Sequence, residues 1–80
     1  MTGVHAYVLV QTEIGRSAAV ARAIADLPGV TAADDVTGPY DVIARVSSDT
    51  MDTLGRDVIA PIQRVPGITR TLTCPVVAFS

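Results

Sequence analysis

The sequence predicts an α+β fold made of two strand-helix-strand halves in tandem, in the order β-α-β-β-α-β. A five-residue segment occurs twice in similar form, as Leu27-Pro28-Gly29-Val30-Thr31 and as Val65-Pro66-Gly67-Ile68-Thr69. Each copy follows a helix-like stretch and precedes a strand-like one, which is where a Pro-Gly pair ends a helix. Internal similarity of this kind indicates two copies of one supersecondary unit.

Length and composition indicate a single domain over residues 1–80 with a small core. Hydrophobic residues make up 49% of the 80 residues, and charged residues make up 18%. A chain of this size buries only about 60% of its unfolded surface, and so apolar a composition is difficult to cover in a monomer. We therefore expect a homo-oligomer.

Charge and hydropathy argue against two classes of partner. Six Lys+Arg residues stand against eight Asp+Glu, and the six, all arginines, are scattered along the chain. This pattern predicts no direct nucleic-acid binding. No apolar run approaches the roughly 18 to 20 residues of a membrane span, so no membrane association is expected. The single cysteine and the lack of a signal-like opening segment predict a cytoplasmic protein.

The first half begins with a strand predicted over residues 4–11, which are rich in β-branched and aromatic side chains. A helix is predicted over residues 16–27, because four apolar residues follow the spacing of one helical face: Val20, Ala23, Ile24 and Leu27. Proline cannot continue a helix and glycine tolerates a left-handed cap, so this helix is expected to end at Pro28-Gly29.

A hairpin is predicted to join the two halves, with strands over residues 30–36 and 40–46 and a turn at Thr37-Gly38-Pro39. The last strand is predicted over residues 68–79. Pro75 interrupts it, and proline in a strand is tolerated best at an edge or a bulge.

The second helix is predicted to begin after Ser48 or Asp49, either of which is a suitable N-cap, and to run to about Val65. Its apolar stripe consists of Met51, Leu54, Val58, Ile59 and Ile62. Pro61 removes a backbone donor inside this stretch, so a kink or an early end near Ala60 is expected.

With right-handed connections in both halves, this order gives a ferredoxin-like fold, a four-stranded antiparallel sheet with both helices on one face. The other face would be bare. Several strands nevertheless carry apolar residues at successive positions, as in Val8-Leu9-Val10 and Val42-Ile43-Ala44, which is typical of strands buried on both sides. We therefore expect two copies to dimerise through this sheet face, with the helices outside.

Patterns for catalysis and for metal binding are weak. The lone histidine, His5, and the lone cysteine, Cys74, fall on different strands, where structural roles are commoner than nucleophilic catalysis. Asp34 and Asp35 would point to opposite faces of one strand. No zinc, calcium or nucleotide motif occurs. We expect no catalytic residue, cofactor or metal, although a small dimeric ferredoxin-like monooxygenase, with a cleft at His5 and Tyr7, stays open as an alternative.

The most distinctive local pattern is the turn Val36-Thr37-Gly38-Pro39-Tyr40-Asp41, which by itself is consistent with a plain β-turn. It lies between the two Pro-Gly segments, and Thr71-x-Thr73 follows the second of them. Together these features resemble the effector-binding (RAM) domain of the Lrp/AsnC (feast/famine) transcription regulators. The resemblance covers essentially the whole chain.

The resemblance implies the same βαββαβ unit, dimers formed through the sheets, assembly into tetramers of dimers, and an amino acid or related small-molecule effector bound between dimers. Full-length members place a helix-turn-helix before this domain, whereas here the first strand begins close to Met1. The chain is thus expected to be a stand-alone effector-sensing module that would modulate full-length Lrp/AsnC regulators or serve another partner. An ACT-like amino-acid-binding domain shares the topology and is a second alternative.

The resemblance also implies a set of ligand-binding residues: Gly38, Tyr40, Asp41, Thr71 and Thr73. Backbone N–H groups of the Gly38 turn would receive a ligand carboxylate, and Asp41 would bind the ligand ammonium. The two threonines would supply hydroxyl groups, although threonine also suits a strand by its β-propensity alone. The neighbouring Pro39 offers no N–H.

Overall fold

A computed structural model describes residues 3–77. Its strands are β1 (Val4–Thr12), β2 (Val30–Asp35), β3 (Val42–Ser48) and β4 (Ile68–Pro75), and its helices are α1 (Ser17–Ala25) and α2, which spans residues 51–63. The strands form one antiparallel sheet in the order β2-β3-β1-β4. This confirms the predicted ferredoxin-like fold. None of the described helices has the length and apolarity needed to cross a membrane.

The core lies between the two helices and one face of the sheet. The two central strands contribute alternate residues that are fully buried: Ala6, Val8 and Val10 on β1, and Val42, Ala44 and Val46 on β3. The helices cover them with Val20 and Ile24 of α1 and Leu54, Val58 and Ile62 of α2. Residues of odd number on β1 and β3 lie on the opposite face, which none of the helices within residues 3–77 covers and which is called the open face below.

Helix α1 is shorter than predicted and buries a slightly different face. It begins at Ser17 rather than residue 16 and ends at Ala25 rather than Leu27. Ala23 was predicted on the buried face, but it is exposed, while Ala21 is buried. The residues around Val20 and Ile24 are mostly alanines, which are identical in hydrophobicity, so the sequence pattern could not decide which of them faces the sheet.

The N-cap of α2 is Thr50, so the prediction of Ser48 or Asp49 was wrong. The Thr50 hydroxyl accepts a hydrogen bond from the Thr53 N–H at 3.1 Å, and the Thr53 hydroxyl accepts one from the Thr50 N–H at 3.1 Å. This reciprocal capping box satisfies two backbone donors at once. Ser48 instead completes β3 and hydrogen-bonds the Thr53 hydroxyl.

Pro61 does not end α2 at Ala60, because the helix continues to Gln63. The irregularity takes the form of a π-helical turn over Leu54–Ile59, and the Ala60 N–H donates to the Gly55 carbonyl five residues earlier. Buried residues recur at every fourth position: Leu54, Val58 and Ile62. A spacing of four residues is longer than one α-helical turn and shorter than one turn of the wider π-helix. A helix that combines both kinds of turn therefore keeps these three side chains on one line. Met51, predicted in the stripe, is 54% exposed.

Strand β4 ends at Pro75, on one edge of the sheet. This position agrees with the expected interruption, since an edge strand tolerates the missing N–H. Beyond it, the Val76 N–H still donates to the His5 carbonyl at 2.8 Å. The part of the predicted strand at residues 78–79 lies outside the described residues.

The two Pro-Gly junctions pack reciprocally, each against the helix of the other half. Gly29 and Gly67 have positive φ angles of 83° and 96°. A Cβ atom on Gly29 would lie 2.5 Å from Val58 Cγ2 of α2, and one on Gly67 would lie 3.2 Å from Val20 Cγ2 of α1. The backbones therefore approach the opposite helices as closely as only glycine allows.

Gly29→Ala is expected to destabilise the fold by about 2–5 kcal/mol. The left-handed backbone costs an alanine about 1–2 kcal/mol, and the collision with Val58 adds an overpacking cost of about 1–3 kcal/mol. Gly15→Ala is the matched control, because Gly15 has a similar φ of 80° but nothing within 4 Å of its Cβ position. Urea unfolding of both variants measures the difference, and equal losses would show that the contact with Val58 is unimportant.

Candidate functional site

The turn at residues 36–41 is fastened to the end of β1. The Thr12 N–H donates to Asp41 Oδ2 at 2.8 Å, and the Thr12 hydroxyl donates to the same oxygen at 3.3 Å. The Asp41 N–H donates to the Val10 carbonyl at 2.9 Å, and Gln11 Nε2 donates to the Pro39 carbonyl at 3.0 Å. Hydrogen bonds to a carboxylate are stronger than neutral ones, so the turn is held in one position relative to the sheet.

Asp41 takes this role because the β1–β3 ladder ends beside it. The last paired residues are Val10 and Val42, and the half-buried Asp41 carboxylate supplies the acceptor for Thr12 where the β3 backbone no longer does. Among residues 3–77, no group donates to the second carboxylate oxygen, Oδ1. That oxygen can accept a hydrogen bond from a ligand.

Gly38 and Tyr40 lie in the same turn. Gly38 is exposed at its tip, and Tyr40 is half-buried. Gly38 has a φ of 134°, and nothing lies within 4 Å of its Cβ position. Within the described part of the chain, its N–H has no acceptor. The turn thus presents a backbone donor to solvent next to the Asp41 carboxylate.

Thr71 and Thr73 lie on β4 and face the helix-bearing side of the sheet. Thr71 is paired with Val10 and Thr73 with Val8, and both threonines are half-buried. The Thr71 hydroxyl accepts a hydrogen bond from Gln63 Nε2 at 3.2 Å. The structure therefore places Thr71 at the same end of the sheet as Asp41, and Thr73 two residues farther along.

Sequence reasoning missed Gln11 and Thr12, the residues that hold the turn. The available signal was their position, since two polar residues end an otherwise apolar strand. Arg70 was also missed. It is exposed, and it is paired with Gln11 across the β1–β4 ladder, which places it on the open face at the same end of the sheet.

The open face has an apolar centre. Leu9 is paired with Ile43 on β3 and with Leu72 on β4, and Leu72 is 42% exposed. In the next row Arg45 lies over Tyr7, with its Cζ atom 5.7 Å from the ring centroid. This is a cation–π contact that places an arginine over an aromatic ring at the surface.

No catalytic arrangement is seen in the part of the chain that is described. His5 is half-buried on the open face, and the exposed Cys74 is paired with Tyr7. Asp34 and Asp35 are both exposed and point to opposite faces, as predicted. Residues 3–77 form no pocket and no cluster of three or more metal-ligating side chains.

Arg56 and Asp57 form an exposed ion pair on α2. The Arg56 guanidinium donates to the Asp57 carboxylate at 2.9 Å. This hydrogen bond lowers the pKa of Asp57 and raises the pKa of Arg56. The two residues are adjacent in sequence and fully exposed to solvent, so this pair indicates no binding site.

Comparison with known proteins identifies the family. The family model of the Lrp/AsnC ligand binding domain matches residues 5–78. TTHA0845 from Thermus thermophilus is similar in structure, with a TM-score of 0.87, 34% identity and 96% of each chain covered. AsnC from E. coli shares the fold, with a TM-score of 0.84, 23% identity and coverage of 95% of this chain and 52% of that chain.

The transcriptional regulator NMB0573 from Neisseria meningitidis, solved as a complex with L-Met, also shares the fold. Its TM-score is 0.77 at 16% identity, and the match covers 94% of this chain and 50% of that chain. The chain thus spans about half the length of AsnC and NMB0573. Among curated protein sequences, none matches it. The match over residues 5–78 shows that the chain belongs to the Lrp/AsnC family, as its ligand-binding domain.

Proposed function

We propose that the 80 residues act as one effector-binding unit that binds an amino acid, or a closely related small molecule, and works as an oligomer. The observation that carries this proposal is the match to the Lrp/AsnC ligand-binding domain over residues 5–78. The similarity to TTHA0845 over 96% of both chains supports it. The same family assignment supports a binding role rather than a catalytic one.

The family pattern implied five ligand residues: Gly38, Tyr40, Asp41, Thr71 and Thr73. The proposal takes the three in the turn as the direct contacts, because Thr71 and Thr73 face the helix-bearing side of the sheet. Support for an amino acid comes from the turn, where the Gly38 N–H and one Asp41 carboxylate oxygen have no hydrogen-bond partner among residues 3–77. An amino acid carries a carboxylate for such a donor and an ammonium for such an acceptor. The neighbour NMB0573 was solved with L-Met, which agrees with this ligand class.

The open face is the proposed dimer surface. Its central row, Leu72-Leu9-Ile43, places three large apolar side chains side by side across three strands. Burying them against the same surface of a second copy would remove apolar area from water. An isologous contact of this kind uses one patch twice and closes after two copies.

Ligand binding would act on assembly. Larger assemblies, such as tetramers of dimers, and mixed assemblies with full-length Lrp/AsnC regulators would place the turn at residues 36–41 near another subunit. An effector shifts such an equilibrium only by its difference in affinity between the two assembly states. On this proposal the chain itself contacts neither nucleic acid nor membrane.

Asp41→Asn is expected to weaken amino-acid binding by roughly tenfold or more, because a hydrogen bond to a charged group contributes about 1.5–3 kcal/mol. Asparagine keeps an acceptor for the Thr12 N–H but loses the charge that would attract an ammonium group. Isothermal titration of the common L-amino acids, one at a time, measures the affinity. Asp35→Asn is the matched control, since Asp35 is an exposed carboxylate before the same turn.

Hydrogen exchange at the Thr12 amide separates ligand contact from support of the turn. If Asp41→Asn weakens binding while exchange at Thr12 is unchanged, the carboxylate charge acts on the ligand. Equal affinities for wild type and Asp41→Asn would contradict the ammonium contact. Absence of binding for every amino acid would contradict the proposed ligand class.

Leu72→Lys is expected to convert the dimer into a monomer, because a lysine ammonium in the dimer contact would be buried without a partner, at a cost of several kcal/mol. Sedimentation velocity at micromolar concentration measures the change. Ile14→Lys is the control, since Ile14 is fully exposed in the loop between β1 and α1. A wild-type chain that sediments as a folded monomer would refute the dimer.

A further inference from the structure

Two opposite charges lie at one end of the sheet without neutralising each other. Asp41 is the last residue of the turn at residues 36–41, and Arg70 lies on β4. Among residues 3–77, the ion pair between Arg56 and Asp57 is the only one within 4.0 Å. Arg70 and Asp41 are therefore both available to a ligand that carries both charges.

Gln11 lies between Arg70 and Asp41 in the sheet, so the strand that carries it sets the distance between them. It is paired with Arg70 on one side, and on the other its side chain donates to the Pro39 carbonyl at 3.0 Å. Adjacent strands lie about 4.8 Å apart, so the backbones of Arg70 and Asp41 are separated by two strand spacings, or roughly 10 Å. An arginine side chain is long enough to reduce this gap to one that a small zwitterion can span.

The turn alone is a weak receptor for a carboxylate, because its free donor, the Gly38 N–H, is neutral. Pro39 has no N–H, and the Asp41 N–H already donates to the Val10 carbonyl. Thr71 faces the other side of the sheet and accepts a hydrogen bond from Gln63. An arginine guanidinium, by contrast, binds a carboxylate through two parallel N–H···O bonds and keeps its charge at every physiological pH.

We infer that Arg70 binds the carboxylate of the effector, while Asp41 binds its ammonium group, across the end of the open face at Gln11. This inference rests on the proposed amino-acid-binding function and adds to it a residue that selects for a free carboxylate. Both groups lie beside the apolar row of the open face, where a second copy approaches. The site therefore discriminates α-amino acids from amines and from amino-acid amides.

The test compares two ligands on three proteins. The ligands are the L-amino acid that wild type binds most tightly and the carboxamide of that same amino acid, which keeps the ammonium group and loses the negative charge. The proteins are wild type, Arg70→Gln and the control Arg22→Gln, since Arg22 is an exposed arginine on α1. Arg70 is exposed on an edge strand, and circular dichroism with thermal unfolding verifies that each variant is folded.

Wild type and Arg22→Gln are expected to prefer the acid over the amide by roughly ten- to a hundredfold, the effect of one charge-assisted contact. Arg70→Gln is expected to lose this preference by weakening only the binding of the acid. A folded Arg70→Gln that keeps the preference overturns the role of Arg70 and leaves amino-acid binding intact. A wild type that binds no amino acid overturns the proposed function and this inference with it.

Discussion

The fold depends on the close approach between each Pro-Gly junction and the helix of the opposite half. Gly29 packs on Val58, and Gly67 packs on Val20; the two glycines and the two valines occupy equivalent places in the halves. The junction carbonyls also accept hydrogen bonds, from Ser47 to Gly29 and from Glu13 to Gly67. Each half therefore completes the packing of the other, and neither has a closed core by itself.

The same scaffold is used differently at its two ends. At the end of β3, hydroxyl groups of Ser48, Thr50 and Thr53 hydrogen-bond one another and cap α2. At the equivalent end of β1, α1 has no side-chain cap, and the polar Gln11 and Thr12 bind the turn at residues 36–41 instead. The end of β3 thus stabilises a helix, whereas the end of β1 orients a surface turn. The two lie at opposite ends of the sheet because β1 and β3 run in opposite directions.

The sequence was sufficient to predict those features of the fold that come from a repeat or from an alternation of apolar residues. The Pro-Gly repeat and the alternation in β1 predicted the topology and the two faces of the sheet, because burial imposes periodicity. The π-turn of α2 and the Thr12–Asp41 hydrogen bond were not predictable in this way. The π-turn depends on how Leu54, Val58 and Ile62 pack on the sheet. The hydrogen bond joins two residues that are brought together only by strand pairing.

In the proposed function, assembly and ligand recognition would share the open face, and the chemistry of its side chains divides it. Leu9, Ile43 and Leu72 give its centre an apolar row suited to another protein surface, while the charged Arg70 and Asp41 lie at one end, where water and solutes have access. A ligand at this end would lie beside the contact between copies. Its charges would be screened less strongly once a second copy excluded water, so the affinity for an amino acid and the affinity between copies would rise together, as thermodynamic linkage requires.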